Sequence, residues 1–414
     1  MSVLEEAREL PESGAYDVVV VGGGIVGIAA AVSAVRNGAR VIIVEKSCVL
    51  GGLATAGNVI VWLPLCDGRG RQVTGGLAEE LLRLSVRLLR RDNRAAHMIR
   101  VPTCWEANGD REERKHTRFQ VSFSAAEYLL ELERLVIESG VKLLYDTRVC
   151  GVKREGDRVS HVIVENKSGR SAVRCGVVID GSGDADVCRL AGEETESLDG
   201  NVLSGWFYHV AEDGLHLTEL SKGYNERGDR EGAVGPFFRG DDAEGVTAQI
   251  VGSRVMIRER LSKLRDEGKG GEIQPVCVPT LACMRMTRRL VGSFSLGEED
   301  MHRWFEDTVG LTGDWRKAGP VYAIPMRGLL GMVNRNLLAV GRCMSVSQTA
   351  WDVTRALPGC AASGEAAGTA AALAVRNCEG DVHEVPIAAL QEQLKRQGVL
   401  LDEGLVKEAG HGSM

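Results

Sequence analysis

Six residues near the start of the chain carry a glycine spacing that brings backbone close to a phosphate group. Gly22, Gly24 and Gly27 are spaced as G-x-G-x-x-G. Gly22 permits a tight turn, Gly24 lets backbone approach a pyrophosphate, and Gly27 lets a following helix pack closely on a strand. The amides at the N-terminus of such a helix would face the phosphates. Glu45, further along, can accept hydrogen bonds from ribose hydroxyls.

The neighbouring segments predict the elements that this chemistry needs. Residues 17–21 are an apolar, β-branched run that predicts a buried parallel strand, and residues 41–44 predict a second strand ending at Glu45. Between them, the Ala-rich residues 28–37 predict a helix with Gly38 at its C-terminal end. Together these elements predict a dinucleotide site. The Glu45 carboxylate disfavours a 2′-phosphate, so FAD and NAD remain as candidates.

Three later segments add to this unit. A double glycine stands at residues 51–52, and residues 177–180 and 336–340 each predict a buried strand. The last of these strands enters Gly341-Arg342. The small residues 361–375 then predict a helix whose N-terminal amides can face the pyrimidine edge of a flavin, where negative charge grows on reduction.

The middle of the chain predicts a helix followed by a meander of short strands. Residues 124–127 form a capping box, Ser-Ala-Ala-Glu, that opens a helix over residues 125–139. A strand follows at residues 141–145. Further strands are predicted at residues 159–164 and 172–174, on either side of a glycine turn.

These segments together resemble the FAD-dependent oxidoreductase family, in particular bacterial members with a glutathione-reductase-like or fumarate-reductase-like FAD domain. The resemblance rests on residues 20–24, 50–57, 178–186, 286–292 and 341–370. It implies that FAD is the cofactor, and the lack of histidine between residues 1 and 96 favours noncovalent binding. The residues implied to contact FAD are Gly22, Gly24, Ile25, Val26, Gly27, Glu45, Lys46, Gly51, Gly52, Leu53, Ala54, Thr55, Val149, Gly181, Gly341, Arg342, Ala361 and Ala362.

A second glycine turn, Gly181-Ser182-Gly183, follows a predicted strand as a nicotinamide site would. Its third glycine is missing, Asp186 stands near that place, and no long helix with an acidic-ended strand follows. We therefore interpret it as a turn of the FAD domain. Electrons would then come from the substrate itself or pass to or from a separate carrier.

Composition excludes several classes of function. The net charge of −7 over 414 residues disfavours a nucleic-acid partner. Eleven cysteines include no C-x-x-C pair, so neither an iron–sulfur cluster nor a zinc site is expected, and no metal is predicted. No stretch approaches twenty uncharged apolar residues, and the start of the chain is acidic and polar. We expect a cytoplasmic protein with no membrane partner.

The expected fold class is α/β. It consists of a discontinuous, Rossmann-like FAD domain of the glutathione-reductase type with an inserted mixed α/β substrate domain. The predicted segments are 1–65, 121–200 and 331–378 for the FAD domain, 66–120 for an insertion near the flavin, 201–330 for the substrate domain and 379–414 for a helical tail. Helices are also predicted over residues 247–265 and 385–397.

Fewer residues are candidates for catalysis than for binding FAD. Arg285, Arg288 and Arg289 lie on one basic segment, and a guanidinium fork suits a substrate carboxylate. The alternative is a salt-bridged structural role. Tyr322 precedes the returning FAD segment and can donate a proton, although a buried structural tyrosine fits the same pattern.

Four further residues are weaker candidates. Trp351 and Asp352 are expected in a loop facing the flavin ring, and His116 and His209 lie in the regions that could face a substrate. Most such histidines are structural or exposed.

The leading hypothesis is a dehydrogenase or reductase that moves a hydride between flavin N5 and a small polar organic molecule. One alternative is a flavin monooxygenase, which would normally require a reductant site. Another is a non-enzymatic flavin-binding subunit that passes electrons to a partner. In each case a flavin cofactor carries the redox chemistry.

Overall fold

A computed structural model describes residues 3, 7–87, 99–267 and 273–407. Residues 88–98 of the predicted insertion, 268–272 of the predicted substrate domain and 408–414 of the predicted tail lie outside the described residues. The strands are β1 Glu12–Val21, β2 Val41–Val44, β3 Val61–Trp62, β4 Val121–Ser122, β5 Lys142–Leu144, β6 Arg148–Glu155, β7 Arg158–Asn166, β8 Gly169–Asp180, β9 Thr195–Ser197, β10 Phe207–Ala211, β11 Gly214–Thr218, β12 Gln274–Cys277, β13 Arg288–Leu290, β14 Thr308–Gly313, β15 Val321–Pro325 and β16 Leu337–Ala339. The helices are α1 Ile25–Arg36, α2 Leu77–Ser85, α3 Ala125–Glu138, α4 Asp186–Leu190, α5 Ala243–Asp266, α6 Gln348–Thr354, α7 Leu357–Asn377, α8 Ile387–Arg396 and α9 Glu403–Val406.

The main sheet brings together distant parts of the chain. β5, β2, β1, β8 and β16 are adjacent in that order and run parallel. The apolar run of β1 is fully buried from Val18 to Val20, as a parallel strand covered on both faces requires. The predicted β1–α1–β2 unit is confirmed, although α1 begins at Ile25, three residues before the predicted start.

The prediction of separate strands at residues 172–174 and 177–180 is wrong. The structure forms one 12-residue strand, β8. β1 pairs along its length, while β7 pairs antiparallel with its first half and β16 parallel with its second half. Gly176 lies at the point where the sequence suggested a break. A β-carbon there would be 2.8 Å from the Asp17 carbonyl oxygen, so glycine lets the strand continue against β1.

Helix α7 begins at Leu357, four residues before the predicted start at residue 361. Pro358 falls in the first turn, where a helix has no partner for a backbone N–H and proline is tolerated. α7 crosses α1 in close contact. A β-carbon at Gly364 would lie 2.3 Å from the Val26 carbonyl oxygen, and one at Gly368 would lie 2.1 Å from that of Ala30. These small residues therefore serve helix packing.

The remaining elements surround this sheet. β10, β11 and β12 form a small sheet whose core against α5 contains Phe207, Ile257 and Leu261. α5 begins at Ala243, four residues before the prediction, because Asp242 caps it by accepting from Gly245 N at 2.6 Å. The hairpin β14–β15 shares the core of α1 and α7. The tail helix α8 is confirmed and also packs on α7.

Among the described residues, no helix is both long enough and apolar enough to cross a membrane.

Glu365, inside α7, joins three helices through a buried carboxyl group. Its Oε2 accepts from Leu77 N at the start of α2 (2.7 Å), and its Oε1 accepts from the Gln397 side chain (3.2 Å) just after α8. Burial raises the pKa of Glu365 to about 7 from an ordinary value of 4.5. The folded protein thus holds this proton more tightly than the unfolded chain does.

We expect Glu365→Gln to flatten the pH dependence of stability. Because the folded pKa is raised, the stability that this carboxyl group contributes is fully present below about pH 4.5, and about 3 kcal/mol of it is lost as pH rises to about 7. Its melting temperature should therefore fall by a few degrees between pH 5 and pH 8 more than that of the variant. Glu392→Gln, at an exposed site on α8, is the control. Equal slopes for Glu365→Gln and wild type would contradict this assignment.

Candidate functional site

The carboxyl ends of three parallel strands meet around the first glycine turn. A β-carbon at Gly22 would lie 2.4 Å from the Gly181 carbonyl oxygen, and one at Gly27 would lie 1.9 Å from that of Gly22. Gly341, with φ +59°, lies after β16 against Val26, where a β-carbon would be 3.1 Å away. The predicted role of Gly27 in close packing is confirmed, the φ of +100° at Gly22 fits the predicted tight turn, and Gly22 and Gly341 are also closely packed.

Gly24 is different, because it packs against nothing. It is the N-cap of α1, with φ −70° and no side-chain capping bond, and a β-carbon there would meet no heavy atom within 4 Å. The double-glycine turn lies beside it. Gly51 N donates to Gly23 O at 2.8 Å, and a β-carbon at Gly52 would lie 3.3 Å from Gly24 Cα. The start of α1 thus offers an open, amide-lined cradle.

Glu45 lies next to this cradle at the end of β2. Its Oε2 accepts from Gly23 N at 2.6 Å, and its Oε1 accepts from both the backbone N and the Oγ of Ser47 at 2.7 Å. Its carbonyl accepts from Thr147 N at 3.0 Å, which brings the start of β6, and hence Val149, alongside. A ribose near Gly24 would find this carboxylate already oriented.

The rest of the double-glycine segment is held from within. Thr55 Oγ1 donates to the Leu50 carbonyl oxygen, and its side chain packs against Gly51. Leu53 and Ala54 continue in a short 3-10 turn, with Ala54 buried and Leu53 half-buried. Ile25 is buried at the start of α1.

The start of α7 faces the same edge of the sheet. Cys360 N makes the first helical hydrogen bond, to Ala356 O at 2.9 Å, so the amides of Leu357 and Gly359 precede it. Ala361 and Ala362, implied as FAD contacts by the resemblance, lie one turn inside the helix and are buried. The N-terminal amides of α7 therefore lie earlier in the sequence than predicted, and the contacts of Ala361 and Ala362 with the cofactor stay predictions.

The turn at residues 181–186 joins β8 to α4, which has only five residues. Its side chains also contact residues from distant parts of the chain. Arg342 Nη2 donates to Asp184 Oδ1 at 3.0 Å, and its Nη1 donates to Met284 O at 2.6 Å. Lys46 Nζ lies 3.6 Å from Asp184 Oδ2. Lys46 and Arg342 thus hold this turn, while their predicted contacts with the cofactor stay predictions.

Two of the three predicted arginines are paired inside the protein. Arg288 Nη2 lies 2.7 Å from Asp186 Oδ1, and its Nε donates to the Asp184 carbonyl oxygen at 2.9 Å. Arg289 Nη2 lies 2.7 Å from Glu196 Oε2. Both arginines are buried, which favours a structural role for each.

Arg285 and Tyr322 have fewer partners. Arg285 Nη2 donates to Ser221 Oγ at 2.9 Å, and its Cζ lies 4.0 Å from the ring centroid of Tyr224. Tyr322 is fully buried in β15, and its hydroxyl has no hydrogen-bond partner among the described residues. Neither placement tests the predicted catalytic roles.

Trp351 and Asp352, expected in a loop, are buried in α6. The Ser347 hydroxyl caps that helix by accepting from Ala350 N, so the chain is helical where a loop was predicted. His209 is buried in β10, where burial lowers its pKa, and His116 is exposed.

The structure adds charged residues that the sequence did not single out. Arg355 donates to Asp352 Oδ1, and Arg316 Nη1 lies 3.8 Å from Asp352 Oδ2. Arg316 also makes a two-pronged contact with Asp314, at 2.8 and 2.9 Å. We call these four residues the α6–α7 corner. Its only sequence signal is the i, i+3 spacing of Asp352 and Arg355, because the partners on the β14–β15 connection are distant in the chain.

These features define a class of protein. A parallel sheet with a glycine-lined cradle, a ribose-facing acid and a second helix aimed at the same edge is an adenine-dinucleotide-binding flavoprotein fold. The family model described as FAD dependent oxidoreductase matches residues 17–201 and 240–394, so the chain belongs to that family. It is an FAD-dependent enzyme, and the open backbone at Gly24 and the acid at Glu45 fit that cofactor.

Other proteins resemble the chain more distantly. A thioredoxin reductase of Ureaplasma parvum serovar 3 is 39% identical over 74 residues, which span 18% of this chain and about a quarter (24%) of that enzyme. A geranylgeranyl bacteriochlorophyll reductase-like protein from Thermoplasma acidophilum is 13% identical, with a TM-score of 0.46 over 93% of this chain and 84% of that one. The p-nitrophenol 4-monooxygenase of Pseudomonas putida DLL-E4 is 12% identical, with a TM-score of 0.44 over 92% and 83%. At these scores neither structure bears on the reaction.

Alanine at Gly24 and at Gly27 should separate cofactor binding from folding. Gly24→Ala adds a methyl group to open space, so the apoprotein should melt within about 2 °C of wild type while FAD binds at least about tenfold more weakly. Gly27→Ala forces a methyl group into a carbonyl oxygen and should lower apoprotein stability by about 2 kcal/mol or more. Melting curves of apoprotein and fluorescence titration with FAD give both quantities. Unchanged FAD affinity in Gly24→Ala would contradict the cradle.

Proposed function

We propose that the protein is a dehydrogenase or reductase that moves a hydride between flavin N5 and a small polar organic substrate. The observation that carries this proposal is the α6–α7 corner, where charged groups lie directly before the start of α7. When bound, FAD supplies the two-electron chemistry, so the chain must bind, orient and protonate the substrate.

Some polar atoms at this corner have no hydrogen-bond partner within the described protein. Asp352 is fully buried, and its Oδ2 has no hydrogen-bond partner in the described part of the chain. The Nε of Arg355 is likewise buried without an acceptor. Unsatisfied buried polar atoms cost about 1–3 kcal/mol each, so their presence directly before α7 favours a role in binding a polar molecule.

Tyr322 supports the proposal as a source of a proton. Burial, followed by the charge of Asp314, raises the pKa of Tyr322 to about 12. The phenol is therefore protonated at neutral pH and can donate. Its free hydroxyl lies near the Asp314–Arg316 pair, which connects it with Asp352.

The turn at residues 181–186 bears on the source of electrons, because a nicotinamide site could have lain there. In the described structure β8 leads into the short helix α4 and not into a second strand–helix–strand unit of dinucleotide-binding length. This supports electron supply by the substrate itself or exchange with a separate carrier.

Anaerobic reduction tests the proposal. FAD-loaded protein mixed with small alcohols, amines and organic acids should lose its flavin absorbance near about 450 nm with at least one compound and without NAD(P)H. Reduction by NAD(P)H alone would contradict the proposal and indicate a monooxygenase. Reduction by neither NAD(P)H nor any compound would indicate an electron-transfer protein.

Tyr322→Phe should lower turnover without weakening the fold. The variant removes a buried hydroxyl that has no partner, so its melting temperature should equal or slightly exceed that of wild type. Loss of a proton donor should reduce kcat by about a hundredfold to ten-thousandfold. Tyr145→Phe, at a half-buried tyrosine bonded to Glu133, is the control. Unchanged kcat in Tyr322→Phe would assign Tyr322 a structural role.

A further inference from the structure

A long surface loop contacts the α6–α7 corner. Residues 219–242, between β11 and α5, form no helix or regular strand in the described structure. Near the two ends of this segment, Lys222 N donates to Leu203 O at 2.9 Å and Phe238 N donates to Asn201 O at 2.8 Å. Both ends of the loop are therefore held by one short segment of the protein. A long surface loop with adjacent ends is an Ω-loop, a kind of loop that often carries function.

The part between these anchors, residues 223–237, keeps hydrogen bonds of its own. Val234 N donates to Gly223 O at 2.8 Å, and the Asn225 side chain donates to Glu231 O at 2.7 Å. None of these fifteen residues, all of which the structure describes, is buried. A segment that contributes no buried side chain to a core opens at low cost, and its own hydrogen bonds let it move as a unit.

Two side chains of the 223–237 loop reach the corner and its neighbour Arg285. Glu226 Oε2 lies 3.0 Å from Arg316 Nη1, and the Tyr224 ring centroid lies 4.0 Å from Arg285 Cζ. The Glu226 side chain is 57% exposed, whereas that of Arg316 is 10% exposed, so the loop covers the arginine. Ion pairs with so exposed a partner are weak and are screened by salt.

The space beneath the loop is too small for a substrate. Gly228, with φ +75°, lies so close to the protein that a β-carbon there would be 2.6 Å from Met286 Sδ and 2.8 Å from Leu198 Cδ1. Between Tyr224 and Arg285 there is room for about one water molecule. A substrate can therefore not enter under the loop in this position.

A buried polar atom lies behind the ion pair. Arg316 Nη1, which contacts Glu226, is also 3.8 Å from Asp352 Oδ2, and this oxygen has no hydrogen-bond partner in the described chain. A molecule that approaches Asp352 from the side of Arg316 thus meets Glu226 first. Access from this side requires the loop to move.

We propose that residues 223–237 form a lid, which opens as a unit about Lys222 and Phe238 and admits the substrate to the α6–α7 corner. Opening breaks the contact between Glu226 and Arg316, and closure restores it and excludes water from the corner. The admission of substrate rests on the function proposed above, whereas the movement of the lid does not.

A thiol placed beneath the lid tests its movement. In FAD-loaded Leu198→Cys protein the introduced thiol lies under Gly228, and N-ethylmaleimide labels it when the lid opens. The tryptic peptide 190–222 contains no native cysteine, so mass spectrometry of this peptide gives the labelling rate. Adding Glu226→Gln should speed labelling about two- to fivefold, the factor that an exposed ion pair contributes.

A matched control removes the same charge from the lid without touching the corner. Glu231 pairs at 3.4 Å with Arg227 of the lid itself, so adding Glu231→Gln should leave the labelling rate unchanged. The exposed native Cys277, measured in the same samples, should be labelled at one rate in all three proteins.

Entry of substrate is tested with any compound that bleaches the flavin in the reduction experiment above. If the compound binds only to open protein, its association rate constant is proportional to the open fraction. In stopped-flow mixing without oxygen, Glu226→Gln should therefore raise this rate constant by the factor seen in labelling, and Glu231→Gln should not.

The outcomes separate the lid from the proposed function. Equal labelling with Glu226→Gln and Glu231→Gln would overturn the lid and leave the proposed function intact. Faster labelling with an unchanged association rate constant would overturn the admission of substrate. Faster labelling with no compound that reduces the flavin would support the movement and contradict the proposed function. If Leu198→Cys does not retain FAD, Met286→Cys, also beneath Gly228, takes its place.

Discussion

Contact between backbone atoms at the ends of three parallel strands is the constraint on which the rest of the structure depends. Gly22, Gly181 and Gly341 follow β1, β8 and β16, which come from the beginning, middle and end of the chain. Gly22 and Gly181 approach so closely that a β-carbon at Gly22 would overlap the Gly181 carbonyl oxygen, and Gly341 packs against Val26 and Cys360. Only this approach lets α1 and α7 start at the same edge of the sheet. With both helix starts there, one extended cofactor can meet both.

Ion pairs and hydrogen bonds then hold β13 and its neighbouring residues against this edge of the sheet. Asp184, in the turn after β8, accepts from Arg342 after β16 and from the Thr287 hydroxyl beside β13, at 3.0 and 2.7 Å. Arg288, which is buried, adds an ion pair with the partly exposed Asp186 in the same turn. Loss of Asp186 would leave the buried Arg288 guanidinium without its carboxylate partner, so these contacts fix β13 relative to the sheet. Arg285, on the neighbouring segment, is thereby placed near Arg355 and Asp352 of the α6–α7 corner.

Much of the fold could be predicted from the sequence, because its signals are local. Glu45 follows a short β-branched run at a fixed distance from the glycine turn, and the structure places it at the cradle. The start of α7 is harder to predict, because the run of small residues begins after Pro358, whereas proline suits a first turn and the helix begins at Leu357. The site was harder to predict for a different reason. Arg285 and Arg288 look alike in sequence, and only carboxylates from distant segments distinguish them.

Buried polar atoms without a hydrogen-bond partner occur in several parts of the described chain, and three of these residues surround the α6–α7 corner. Near the start of α7, Asp352, Arg355 and Tyr322 each keep a buried polar atom without a partner in the described chain. The helix α7 itself packs on α1 through small residues. Removing the Tyr322 hydroxyl would relieve such a cost, about 1–3 kcal/mol, whereas Asp352 also balances the charges of Arg355 and Arg316. Strained or unsatisfied groups persist where function requires them.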